Sequence, residues 1–154
     1  MRIRLCLLAL LALVGLPTLA VAQLTVRADR NLQFGIVIKG VQKYVPPNDP
    51  VNSGEFEFTA TLGNIVRFQF TLPTNLNGPA GARMPISFGT TDGIAQGTGP
   101  TSVPVTFNPN GTPSFTLVSS NRILVFIGGR VTPAANQTSG AYTAPITFTV
   151  TIIG

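Results

Sequence analysis

The chain contains no histidine and no tryptophan, a single cysteine, and five acidic residues among 154. Without histidine it lacks the side chain that most often serves as a general base at neutral pH and a usual ligand of zinc. The lone cysteine, Cys6, lies in an N-terminal apolar run, so no thiol pair is available for a disulfide and the fold must hold by packing or by assembly. The absence of tryptophan removes the aromatic platform most used to bind sugars. Of the acids, Asp29, Asp49, Glu55, Glu57 and Asp92, only Glu55 and Glu57 share a local element. They alternate with Phe56 and Phe58, the pattern of a solvated outer strand face rather than of an acid–base pair, and no acid-rich loop has calcium-ligand spacing. The expectation is therefore no catalytic residue, no metal site, no cofactor and no enzymatic activity.

Long hydrophobic runs are equally scarce. The one apolar stretch, residues 5–16, is shorter than the roughly twenty residues that a helix needs to span a bilayer. It follows Arg2 and Arg4 and precedes a small-residue site at Ala20-Val21-Ala22, which together have the layout of a secretory signal peptide with cleavage after Ala22. Cys6 stands at the start of the run, the wrong place for a lipoprotein signal. Residues 1–22 are thus read as a signal peptide and residues 23–154 as one exported domain, with no transmembrane segment, bound for the periplasm or the cell surface. Beyond the two leader arginines, the basic residues Arg27, Arg30, Lys39, Lys43, Arg67, Arg83, Arg122 and Arg130 are scattered singly. A nucleic-acid binder concentrates such charge on one face, so this function is not expected.

What the chain does have is alternation. Apolar side chains recur at every second position, which places them on one face of an extended strand. Leu24, Val26 and Ala28 begin a broken first strand whose phase continues through Leu32, Phe34, Ile36 and Ile38. Phe56, Phe58 and Ala60 lead through Gly63-Asn64 to Val66, Phe68, Phe70 and Leu72, which reads as a β-hairpin. Shorter strands are expected at residues 85–88, 103–107 and 114–118, between Gly, Pro, Asn and Thr clusters. Residues 123–127 are apolar without alternation, so both faces of that strand should be covered. The last strand is the clearest: Ile146, Phe148, Val150 and Ile152 face one way, and Thr147, Thr149 and Thr151 the other. Many short strands, frequent turns and one buried face per strand specify an all-β, two-layer antiparallel sandwich of immunoglobulin-like type.

Leu32-Gln33-Phe34-Gly35 near the start, and the stretch from Val125-Phe126-Ile127-Gly128-Gly129 through Gly140-Ala141-Tyr142-Thr143 to the final strand, together resemble a widespread bacterial family of secreted domains related to spore coat protein U and to archaic chaperone–usher pilins. The first, with Gly40 downstream, is similar to that family's LxFG opening. The second includes Ala134-Ala135-Asn136-Gln137 between its two glycine motifs. On the residues alone, Gly35 and Gly140 read as turn or bulge positions and Tyr142 as a packed corner.

The resemblance implies a pilin-like sandwich that serves as a subunit of surface fibres, with copies of itself or related subunits, and a periplasmic chaperone, as partners. In such pilins the sandwich lacks a strand and a neighbour's N-terminal extension fills the groove. Ile146, Phe148, Val150 and Ile152 are accordingly the candidate groove, and Leu24, Val26 and Ala28 the candidate donor residues; the short spacing from residue 23 to Leu32 favours their use as the chain's own first strand. The family's cysteine pair is missing here. The alternative is a self-contained secreted module whose loops around Tyr44 or Arg83 contact a glycan or an outer-membrane partner.

Overall fold

A computed structural model of the protein describes residues 24–154, and the expected signal segment lies outside the described residues. The described residues form twelve strands: β1 (Thr25–Arg30), β2 (Lys43–Val45), β3 (Gly54–Thr59), β4 (Ile65–Thr71), β5 (Asn75–Asn77), β6 (Arg83–Ser87), β7 (Gly93–Gly97), β8 (Val105–Phe107), β9 (Ser114–Thr116), β10 (Arg122–Ile127), β11 (Gly129–Val131) and β12 (Thr147–Ile152). They form three antiparallel sheets, ordered β1-β3-β10-β7-β8, β2-β11-β6-β5 and β12-β4-β9. Among the described residues no helix is long and apolar enough to cross a membrane.

The five-stranded and three-stranded sheets face each other across a phenylalanine core. Phe56 and Phe58 from β3 meet Phe148 from β12 at ring-centroid distances of 5.1 and 6.4 Å, and Phe58 meets Phe68 of β4 at 6.0 Å. Phe68, with 1% of its surface exposed, also touches Phe70, Phe107 and Phe115 and is the hub of the cluster. Each such ring taken from water contributes about 1.5–3 kcal/mol. Since no disulfide shares the task in this region, this cluster is the principal source of stability.

The structure corrects the hairpin. β3 and β4 are consecutive but do not pair: β3 bonds to β1 and β10, whereas β4 bonds to β12 and β9. The turn at Gly63, where φ is +89°, carries the chain from one layer to the other, so the two phenylalanine faces meet across the core instead of lying side by side. Alternation demands only that the apolar face be covered, and both arrangements meet that demand.

The broken first strand ends at Arg30, and residues 31–42 join no ladder. β10 is the central strand of its sheet, with Ile123, Val125 and Ile127 buried inward and Leu124 and Phe126 half-buried on the outer face. The chain then steps from this sheet to β11 of the next through Gly128. A Cβ at Gly128 would stand 2.4 Å from the Val45 carbonyl oxygen, so only glycine permits the crossing. A smaller apolar cluster of Met84, Ile86 and Val131 closes this end, with Leu32, Phe34, Val37 and Tyr142 packed on it.

Candidate functional site

The feature that distinguishes one side of the sandwich is a seam between two long edge strands. β12 pairs only with β4 and β1 only with β3, so each ends its sheet. The register Val26↔Phe58 and Ala28↔Phe56 puts Val26 and Ala28 in the core-facing phase. Val26 nevertheless remains 44% exposed and Ala28 is exposed, because no strand of the facing sheet lies over them. On the other wall, Ile146, Phe148 and Ile152 pack on the core yet are only partly covered, while Val150 is buried. Between them the Phe56 and Phe148 rings meet at a centroid distance of 5.1 Å.

Main-chain groups line the same seam. Ile153 donates its N–H to the carbonyl of Ile65 at 2.8 Å, and Phe68 donates its N–H away from β12, to Pro113 at 3.1 Å. Opposed residues of an antiparallel pair direct their N–H groups either both inward or both outward. The pairs Phe148↔Phe70, Val150↔Phe68 and Ile152↔Val66 are therefore the outward set, and the amides of Phe148, Val150 and Ile152 point into the seam. β12 carries no proline and no charge along its six residues.

The opposite side is different. Its edge strands β8 and β9 are three residues each and are flanked by Pro104, Pro109 and Pro113, features that deter pairing with another chain.

At one end the seam opens into a cavity of about 910 Å³ between residues 31–39 and 137–146, with Ala28, Phe56 and Ile146 at the junction. The family-like motif residues build this end. Leu32 packs close to Gly54 and Gly129, where a Cβ would stand 2.7 Å from the Ile127 side chain and 3.1 Å from the Phe88 ring respectively. Phe34 lines the cavity, and Gly35 adopts φ +58° in the turn that follows it. Gly140, at φ +144°, lies where a Cβ would come within 2.4 Å of Pro79.

The Tyr142 hydroxyl donates to the Thr138 carbonyl at 2.7 Å and accepts from the buried Gln137 amide at 2.6 Å. That amide also donates to the Arg83 carbonyl at 3.1 Å, tying the segment before β12 to β6. Val26, Ala28, Ile146, Phe148, Val150 and Ile152 thus lie on the two edge strands or beside them, Leu24 packs on the core just before β1, Leu32, Phe34, Gly35, Gly140 and Tyr142 line the cavity, and Gly128 and Gly129 lie at the crossing from β10 to β11.

The outer face of β1, β3 and β10 carries an ion-pair ladder. Glu57 accepts from Arg122 and lies 3.3 Å from Arg27, and Arg30 pairs with Glu55 at 3.1 Å. The Arg122 hydrogen bond holds the Glu57 carboxyl below the usual glutamate range. Glu55 and Glu57 are therefore partners of arginines across three strands. Among the described residues no group of three or more His, Cys, Asp or Glu side chains is placed to hold a metal ion.

Tyr44, expected in a loop, sits on β2 instead. Three residues are too few to show alternation. Its hydroxyl donates to the buried carboxylate of Asp92 at 2.9 Å, and the Arg130 guanidinium lies 5.0 Å from its ring centroid. Burial, with Asp92 adding to it, raises the Tyr44 pKa above the ordinary phenol value. Arg83 starts β6, in the sheet where β11 separates β6 from β2.

Comparison with family models, with curated proteins and with solved structures gives no match to this chain.

Proposed function

We propose that the protein is an exported, non-catalytic structural subunit of a bacterial cell-surface fibre or fimbria-like assembly, joined by β-strand addition between subunits. In this reading the fold is a pilin-like immunoglobulin sandwich that lacks one strand, residues 1–22 direct export, and the partners are copies of the chain or related subunits. A periplasmic chaperone would shield the seam before assembly. The observation that carries the reading is the β12 edge, with three outward amides aligned over an apolar floor that Val26, Ala28 and Phe148 leave part-exposed. An added strand gains main-chain hydrogen bonds from such an edge and specificity from its alternate side chains. Left open, the same edge invites aggregation.

The test is electrophoresis in SDS of unheated surface extract beside a boiled sample, probed with an antibody to the chain. A ladder of multimers that collapses to one band on boiling is the expected result. A monomer band in both lanes would refute the fibre reading.

The alternative, a self-contained secreted binding module for a glycan or an outer-membrane partner, draws on the cavity of about 910 Å³ beside Phe34, a volume within the usual range for small-molecule sites. Tyr44 supports it less, since its hydroxyl and one ring face are engaged by Asp92 and Arg130.

A further inference from the structure

We infer that the cavity of about 910 Å³ is a binding site for a single-chain anionic amphiphile, a molecule with one long acyl chain and a carboxylate or phosphate head. The inference goes beyond the fibre reading and does not depend on it, since the cavity lies within one copy of the chain.

The lining changes character from floor to mouth. Phe56, Met84 and Ile86 form an apolar floor, at 8%, 6% and 7% exposure, and Leu32, Phe34 and Leu76 pack on Met84 and Ile86. The buried polar group that reaches this space is already satisfied. Gln137 accepts from the Ala134 N–H at 3.2 Å and spends its amide on the Arg83 carbonyl and the Tyr142 hydroxyl, which in turn gives its proton to the Thr138 carbonyl. A sugar seated there would bury hydroxyls without partners, which is costly, whereas a hydrocarbon chain has none to satisfy. The mouth is different. Ile36 lines the cavity while 89% exposed, so it stands at the rim. Exposed Lys39 lines the same opening and, among the described residues, is the only charged side chain of the lining. Lys43 adds a second positive charge beside it, with Nζ donating to the Ile36 carbonyl at 3.0 Å. The sequence has no acidic residue from 31 to 48 to neutralise the pair. A cationic rim over an apolar floor complements a molecule of the opposite build, with its chain directed inward and its anion outward.

The experiment titrates the full-length chain, as monomer, with cis-parinarate, a slim fatty acid that fluoresces in apolar surroundings. Saturable binding is expected, with oleate displacing the probe at lower concentration than oleyl alcohol. The double variant K39E/K43E should weaken oleate by roughly fivefold, the upper end for an exposed ion pair, and leave oleyl alcohol unchanged. Leu76→Trp, which fills the cavity from β5, should abolish binding of both. Methyl NMR of the parent chain gives a reading that no variant's folding can disturb: oleate should shift the Met84 and Leu76 methyl signals and leave those of Leu117, in the main core, in place. Oleoyl-lysophosphatidylglycerol as a second competitor separates the two sources of such a ligand: stronger displacement by it assigns a phosphate-headed lipid, stronger displacement by oleate a free fatty acid, and either supports the site.

Equal affinity for oleate and oleyl alcohol, binding that Leu76→Trp leaves unchanged, or unmoved Met84 and Leu76 signals would overturn the inference. None of these outcomes touches the fibre reading, which is read from multimers.

Discussion

Truncating two phenylalanines that belong to one cluster should have very different consequences. Phe68 lies at 1% exposure with Phe58, Phe70, Phe107, Phe115 and Phe148 around it, the nearest centroid at 5.0 Å. Phe68→Ala removes a ring that the surrounding strands are too tightly laddered to replace, and should cost about 3–5 kcal/mol, the range for a fully enclosed phenylalanine. Phe148 contacts Phe70 at 4.8 Å and Phe56 at 5.1 Å, but the seam leaves it partly open. Only part of its transfer free energy is realised in the free chain, so Phe148→Ala should cost roughly 2 kcal/mol. At about 4 °C per kcal/mol, the two melting temperatures should differ by roughly 4–12 °C. Circular dichroism on monomer resolves this, with urea titration as a check on the free energies. Phe148→Ala should in addition abolish multimers, because the ring forms the floor on which an added strand lies. Equal losses of stability in the two variants would mean that the β12 face is already closed in the monomer, and the seam argument would fail.

Gly128→Ala should lower the melting temperature by well over 10 °C, because its Cβ would meet backbone atoms of residues 45–47 at 2.4–2.8 Å, whereas Gly63→Ala, with open space around it and strain only at φ +89°, should cost about 1 kcal/mol. Tyr142→Phe strips the buried Gln137 amide of one acceptor and leaves the Thr138 carbonyl without its donor, a loss of about 1–2 kcal/mol readable in thermal melts. Glu57 has its pKa lowered in the folded state by Arg122, so its contribution is present above the ordinary glutamate value and is lost as pH falls through the depressed one. Stability measured across pH 2–6 should therefore decline more gently in Glu57→Gln than in the parent chain; parallel curves would argue against the ladder.

The phenylalanine alternation in residues 56–58 and 66–70 and the apolar phase of β12 were legible from the sequence, because a period of two with large side chains has one physical reading, a strand with a buried face. Partners were not legible. The same pattern serves a hairpin and a sheet-to-sheet crossing, and only the packing of Phe58 on Phe68 distinguishes them. β2, β5 and β11 are too short to carry a period, so Tyr44 read as a loop residue. Gly35 and Gly140 were legible as conformational positions, but not what a glycine accommodates, since the Val45 carbonyl near Gly128 and the Pro79 ring near Gly140 come from distant parts of the chain. The seam lay within reach of the sequence through the phase of Val26 and Ala28 and of residues 146–152. Its openness depends on no strand lying over β1, a property of the assembled layers.

The most direct test of the central claim is amide hydrogen exchange at residue resolution along β12, on monomer and on multimer. In monomer the amides of Thr149 and Thr151, directed at β4, should be protected, while those of Phe148, Val150 and Ile152 exchange rapidly; in multimer the second set should become protected as well. Slow exchange of Phe148, Val150 and Ile152 in the monomer, or no gain of protection on assembly, would contradict the account.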